Sequence, residues 1–277
     1  MKSISISEMK RIQVDILKDV HLFCEKNKIR YTLIFGSLLG AIRHKGYIPW
    51  DDDIDIAMPR PDYERFISSY KSLTGYYYAY DYRKDPDYYN PYAKVADVRT
   101  ILEENISMKN IGINIDVFPF DYMFDSKQEC FKFIDRLNLY KKIFRIKLVK
   151  PGKKNSFVKR IFIRLAKLIC IPISAKKLVE KEYALVETLK NENAKYVGLA
   201  VDPEIDAAYR SVFSRSMFEK FVMVPFENQL FYVLENYDEW LKTMYGDYMT
   251  PPPESGRTSP HTLSKIYWIN GDCHAEE

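Results

Sequence analysis

The sequence predicts an α+β fold: a mixed sheet with flanking helices and a helical basic insertion. Two observations predict it. Apolar residues recur every three or four positions in some segments and every second position in others, so amphipathic helices and half-buried strands are both encoded. Charge is also segregated along the chain. Residues 141–181 carry 14 Lys or Arg against the single acid Glu180, so the rest holds 28 bases against 37 acids within a total of +4. With 277 residues, 47% of them apolar and 15% aromatic, the chain can bury a core as one large domain or as a domain with an appended lobe. Disorder as the main state is excluded, and the small net charge gives no argument for a nucleic-acid partner.

From Ile6 to Lys28, Met9, Ile12, Ile16, Val20 and Phe23 share one face of a helix that should pack on a sheet. Tyr31 to Phe35 reads as a buried strand ending at Gly36-Ser37, where a helix through Leu38, Leu39 and Ile42 begins. Pro49 interrupts the next segment. Asp53 to Met58 then alternates polar with apolar, as a half-buried strand does, and Pro61 is placed to open the helix DYERFISSYKSL. Tyr-rich strands are predicted over 76–83 and 92–100, and an alternating strand over Ile111 to Phe118. Residues 126 to about 189 read as helical, with breaks at Pro151-Gly152 and Pro172. The last third is less periodic, and its Pro251-Pro252-Pro253 run excludes regular structure there. Three parts are expected: 1–125 as the core with its N-terminal helix, 126–200 as the basic helical insertion, and 201–277 as a C-terminal part.

Four scattered cysteines, Cys24, Cys130, Cys170 and Cys273, form no disulfide framework or zinc motif. The amino terminus lacks a secretory signal and no run of eighteen apolar residues occurs, so a cytoplasmic location is expected.

The chemistry-bearing residues are acids on strands. Asp53 and Asp55, two apart in an extended segment, leave the same face roughly 7 Å apart, within reach of one divalent ion. Asp116, between Ile115 and Val117, presents another carboxylate from a strand with an apolar opposite face. Like charges so placed repel unless a cation sits among them, and oxygen-only ligands favour Mg²⁺ or Mn²⁺. Ahead of them, Gly36 and Ser37 stand at a helix amino terminus, where free N–H groups attract phosphate. A phosphate cradle followed by a metal-binding acid pair suits phosphoryl or nucleotidyl transfer. Taken singly, a Gly-Ser pair says little, and Asp51-Asp52-Asp53 alone reads as a solvated turn.

The stretch LIFGSLLGAIRHKGYIPWDDDIDIAM (33–58) resembles the signature of the LicD family of phosphocholine and related phosphotransferases of bacterial surface glycans, whose animal relatives are fukutin and fukutin-related protein. Similarity continues in YAKVADVRT (92–100), INIDVFPFD (113–121) and YGDYMTPPPESGR (245–257), then His261, and is weak over 126–200. The resemblance implies a nucleotidyltransferase-like fold and transfer of a phospho-alcohol such as phosphocholine from a CDP-activated donor such as CDP-choline. The acceptor would be a hydroxyl of a cell-surface glycan, whether teichoic acid, lipopolysaccharide or capsule, and CMP would leave. Asp53 and Asp55 would be metal ligands, and Asp116 a further ligand or the general base. Arg43, His44, Lys45, Lys94 and Arg99 could neutralise the diphosphate, although each also reads as an ordinary surface cation. Arg257 and His261 match the pattern without an evident role.

Eight tyrosines between Tyr76 and Tyr92 could cage a quaternary ammonium, or could simply pack as strand residues. Residues 157–169 place Lys159, Arg160, Arg164 and Lys167 on one third of a helical wheel and Phe157, Ile161, Phe162, Leu165 and Leu168 opposite. Such a helix either lies in an anionic membrane interface, where lipid-linked acceptor glycans are built, or packs on the core. Two other functions share these features: a nucleotidyltransferase using a nucleoside triphosphate, and a non-catalytic membrane-associated scaffold.

Overall fold

The computed structural model describes residues 2–104, 110–148, 174–201, 205–257 and 263–269; the basic helix expected at 157–169, Pro151-Gly152, Pro172, Cys170, Cys273 and His261 lie outside the described residues. Helix α1 (Ile6–Asn27) is capped by Ser5, whose side chain accepts from the Glu8 N–H at 3.1 Å, and it buries Met9, Ile12, Ile16, Val20 and Phe23. This is the face that the spacing predicts, and it lies against the sheet strands β4 (Ala93–Asp97) and β6 (Asn114–Tyr122).

The sheet is built around a parallel pair. Strand β2 (Asp55–Pro59) runs beside β6 with Asp55 opposite Asp116, and β1 (Thr32–Leu33), β4 and β3 (Tyr77–Tyr80) add antiparallel neighbours in the order β1-β2-β6-β4-β3. The far end of β6 pairs with β7 (Tyr196–Gly198), which pairs with β8 (Phe213–Ser214). A parallel pair needs a long crossover, and here it contains α3 (Arg60–Ser69), packed on β2 and β6 with Pro61 in its first turn. The strand predicted from Tyr31 shrinks to two residues because helix α2 (Phe35–Arg43) starts at once. The strand predicted from Asp53 begins at Asp55, leaving Asp53 in the extended approach to it.

After β5 (Thr100–Glu104) and β6 come α4 (Lys127–Leu148) and α5 (Ala175–Val186), which pack on each other. Their contact buries Phe144, Leu178, Val179 and Tyr183, with Lys141 and Glu182 also buried. Of the basic stretch, Lys141 therefore faces the protein interior.

The last third contains more order than its sequence suggests. Short α6 (Ile205–Arg210) precedes a hairpin of β9 (Phe221–Phe226) and β10 (Gln229–Leu234), whose turn residues Glu227 and Asn228 adopt φ of 48° and 61°. That left-handed pair is the backbone of a tight two-residue turn made without glycine, so the usual hairpin signal is missing. The Thr32 hydroxyl oxygen accepts from the Leu234 N–H at 3.1 Å and fastens the hairpin beside β1. Helix α7 (Tyr237–Tyr245) packs on α2, and β11 (Leu263–Trp268) pairs with β5. The triple-proline stretch is irregular, as expected, and ends in a single 3-10 turn at Glu254–Gly256.

Candidate active site

Three neighbouring strands bring charges together on one sheet face. Asp55 opens β2 directly across from Asp116 on β6, and Lys94 of β4 is the cross-strand partner of Asp116 on the other side. The Lys94 Nζ donates to Asp116 Oδ1 at 2.5 Å and to Asn114 Oδ1 at 3.1 Å. Burial pushes the Asp55 carboxyl well above its ordinary value, and the negative charges of Asp53, Asp116 and Asp51 push the same way against the pull of Lys94. Like charges are thus crowded beside a buried carboxyl.

Asp51, Asp52 and Asp53 can each offer one carboxylate oxygen to a point where all three oxygens lie within 4.8 Å of one another. This triple shares Asp53 with the expected set of Asp53, Asp55 and Asp116, and adds Asp52 and Asp51, the latter open in the sequence between the metal site and a solvated turn. The loop is fixed from α1, where the Gln13 side-chain amide donates to the Asp52 carbonyl at 3.1 Å and to the Asn114 carbonyl at 3.2 Å. Spacing in sequence could not show that α1 reaches across to hold the acids.

Gly36 and Ser37 stand at the start of α2, beside these acids, and each also makes a contact with them. The Ser37 Oγ accepts from the Asp55 N–H at 2.8 Å, locking α2 to the first residue of β2. A Cβ added at Gly36 would stand 2.3 Å from Asp51 Oδ2, so the glycine admits the Asp51 carboxylate against the helix start. Phe35, just before it, holds a left-handed φ of 48° without being glycine, a strained conformation of the type found at functional sites.

The five cations separate into two groups. Lys94 is in the site. Arg43 and His44, at the end of α2, lie together: the Arg43 Nη1 donates to the Tyr248 carbonyl at 2.6 Å, and the His44 ring stands edge-on to Trp50 at 6.3 Å, one residue before the acid run. Burial and the neighbouring Arg43 lower the pKa of His44. Lys45 is exposed and its ammonium donates to the Ile42 carbonyl at 3.1 Å. Arg99 is clamped to Asp97 at 2.9 and 2.5 Å and stacks over Tyr76 at 3.9 Å, at the opposite end of β4 from Lys94. The structure does not bring Lys45 or Arg99 to the acids.

Most of the tyrosines pack. Tyr78 and Tyr80 meet edge-to-face, Tyr80 meets Tyr88, Tyr82 lies on Tyr183 and Tyr89 on Phe144. Tyr92 is different. It is stacked on Phe118 with ring centroids 4.3 Å apart, Phe118 meets Phe35 at 5.7 Å, and the Lys94 ammonium is 5.8 Å from the Tyr92 ring. Register places Tyr92, Lys94, Asp116 and Phe118 on one face, so an aromatic tier adjoins the carboxylates.

A mixed sheet presenting acids from two parallel strands beside a helix start defines a nucleotidyltransferase-like domain. Residues 28–162 match the family model described as LicD/FKTN/FKRP, nucleotidyltransferase domain. Over 96% of its length the chain is 31% identical to the lipopolysaccharide cholinephosphotransferase LicD of Haemophilus influenzae, covering 99% of that protein. It is also 39% identical over 77 residues to an uncharacterized protein of Rickettsia typhi, covering 26% of this chain and 25% of the other. An uncharacterized protein of Rickettsia prowazekii is 36% identical over 85 residues, 29% of this chain and 32% of its own. The chain belongs to the LicD family and is a transferase of the nucleotidyltransferase superfamily.

Proposed function

We propose that the protein transfers phosphocholine from CDP-choline to a hydroxyl of a bacterial cell-surface glycan, lipopolysaccharide in the first instance, with CMP as the leaving group. The observation that carries this reading is the set of carboxylates around buried Asp55, held together with one lysine to oppose them. Such a set fits a hard divalent ion, Mg²⁺ or Mn²⁺, held by Asp53 and Asp55 with Asp51 and Asp52 beside them. When bound, the ion supplies neutralisation of the diphosphate and polarisation of the phosphoryl group.

The remaining steps fall to the chain itself. Lys94, with its ammonium 2.5 Å from Asp116, holds that carboxylate in place. Asp116 takes the proton of the acceptor hydroxyl as its oxygen bonds to phosphorus and the bond from phosphorus to the CMP oxygen breaks. Phe35 and Tyr92, both only partly buried and braced by buried Phe118, would supply the ring surface for the trimethylammonium group, an attraction worth roughly 0.5–2 kcal/mol. No helix among the described residues is long and apolar enough to cross a membrane. A peripheral position on the cytoplasmic membrane face, through the basic stretch, would place the enzyme beside lipid-linked acceptors.

Incubation with Mg²⁺ and a panel of CDP-alcohols tests the reading. CMP release that is largest with CDP-choline is expected, and pyrophosphate release from a nucleoside triphosphate with no action on any CDP-alcohol would overturn it. Flotation with anionic liposomes, weakening with salt, tests the membrane contact.

A further inference from the structure

Two segments remote in sequence converge next to the acid run. Trp50 immediately precedes Asp51, Arg43 ends α2, and Arg257 follows the 3-10 turn of the triple-proline segment. The Arg257 guanidinium lies over the Trp50 ring, 5.4 Å from its centre, and its Nε donates to the Pro252 carbonyl at 2.9 Å. Arg43 reaches the same segment through the Tyr248 carbonyl. Among the described residues neither guanidinium has a carboxylate partner. The Arg43 Nε donates to His44 Nδ1 at 3.4 Å and the His44 ring stands edge-on to Trp50 at 6.3 Å, so Arg43 and Arg257 approach the same tryptophan, and burial and then the charge of Arg257 lower the pKa of Arg43. The arrangement contrasts with Arg30, Arg60, Arg83 and Arg99, each of which meets an acid within 2.8 Å or less. Two guanidiniums that meet no acid among the described residues, one of them partly desolvated, suit an anion.

We infer that Arg43 and Arg257 form a two-guanidinium clamp for a phosphate of the donor, with Trp50 as the plate that positions Arg257. The identity of the anion as a donor phosphate rests on the phosphotransferase reading; the clamp itself rests on the geometry. Placed beside the acid run, it gives the diphosphate one cationic wall from the protein and leaves the opposite wall to the ion-binding carboxylates. The C-terminal Gly-Arg pair thereby acquires a role that the sequence alone did not supply.

The test is calorimetric titration of the full chain in EDTA with pyrophosphate, CMP and phosphocholine in separate arms, which distinguishes a diphosphate from either single phosphate. Wild-type protein should bind pyrophosphate without metal. Arg257→Gln and Arg43→Gln should each weaken binding about tenfold or more. The double variant should lose less than the product of the two, because both guanidiniums contact one anion. Trp50→Leu should weaken binding and Trp50→Phe should restore most of it. Arg257 is exposed, so its variants should melt with the wild type; Arg257→Lys, which keeps charge but not the planar fork, gives a second point between wild type and Gln. Equal pyrophosphate affinity in Arg257→Gln and wild type, or no binding of any of the three anions by the wild type, overturns the clamp. Failure of the functional reading looks different: pyrophosphate binds and depends on both arginines, while no CDP-alcohol is turned over.

Discussion

Two regions of this molecule bury charge, and they do so in opposite ways. Under α3, Arg60 pairs with Asp121 at 2.7 Å and Glu64 at 3.1 Å, and Arg83 with Asp81 at 2.8 Å and Glu64 at 2.7 Å. The rings of Tyr63, Tyr82 and Tyr183 face the same guanidiniums at 5.2 to 5.6 Å. Burial works against the Arg60 charge, but Asp121 beside it holds the guanidinium firmly protonated. At the candidate active site, Asp116 pairs with Lys94, while the negative charges of Asp53, Asp116 and Asp51 add to burial in raising the Asp55 carboxyl. The first arrangement makes each charge a partner of another and serves the fold. The second crowds like charges beside a buried carboxyl, an arrangement suited to a bound cation.

The largest expected effect tests the site. Asp55→Asn should reduce CMP release about a thousandfold or more while leaving the metal-free protein as stable as the wild type or more so. The sign follows from linkage. A carboxyl raised in the folded state binds more protons there than in the unfolded chain, so stability of the metal-free protein is highest below the ordinary carboxylate range and falls as pH rises toward the raised value. Denaturation curves against pH should show that fall in the wild type, less of it in Asp55→Asn, and its relief by Mg²⁺. A metal-free Asp55→Asn protein that melts well below the wild type at neutral pH would contradict the comparison.

Arg60→Leu should behave in the opposite sense. It leaves Asp121 buried without its cation and should cost about 3–5 kcal/mol in a denaturant titration, whereas Arg60→Leu with Asp121→Leu should recover much of that. A smaller effect is expected for Lys94→Met. It removes the lysine paired with Asp116 and should change Mg²⁺ affinity or turnover by about 10–100-fold with the fold intact. Smallest of all, Arg99→Ala and Lys45→Ala should leave turnover unchanged, since one side chain is committed to Asp97 and the other is exposed away from the acids. A large loss of turnover in either variant would return that residue to the diphosphate.

What was legible in the sequence is what local periodicity records. The α1 face, the alternation around Asp55 and Asp116, and the Gly36-Ser37 helix start all depend on neighbours a few residues apart. The rest depends on contacts over long separations. Gln13 holds the acid loop from α1, Lys94 finds Asp116 only through strand pairing, and Arg257 meets Trp50 across two hundred residues. Pairing likewise separated Lys94 from Arg99, two cations that look equivalent in YAKVADVRT, although Lys94 lies near the start of β4 and Arg99 in the turn beyond its other end. The hairpin of β9 and β10 escaped notice because Glu227 and Asn228 make its turn without the glycine that usually marks one.

Phe35 has a consequence for how the protein would respond to selection. Its left-handed backbone costs roughly 1–3 kcal/mol, which glycine at the same place would not incur. A mutant library screened only for thermal tolerance should therefore drift toward glycine or asparagine at this position. Screening the same library for turnover should bring the aromatic ring back, and the divergence of the two populations would register how much folding stability this enzyme gives up at residue 35 to keep a ring beside its carboxylates.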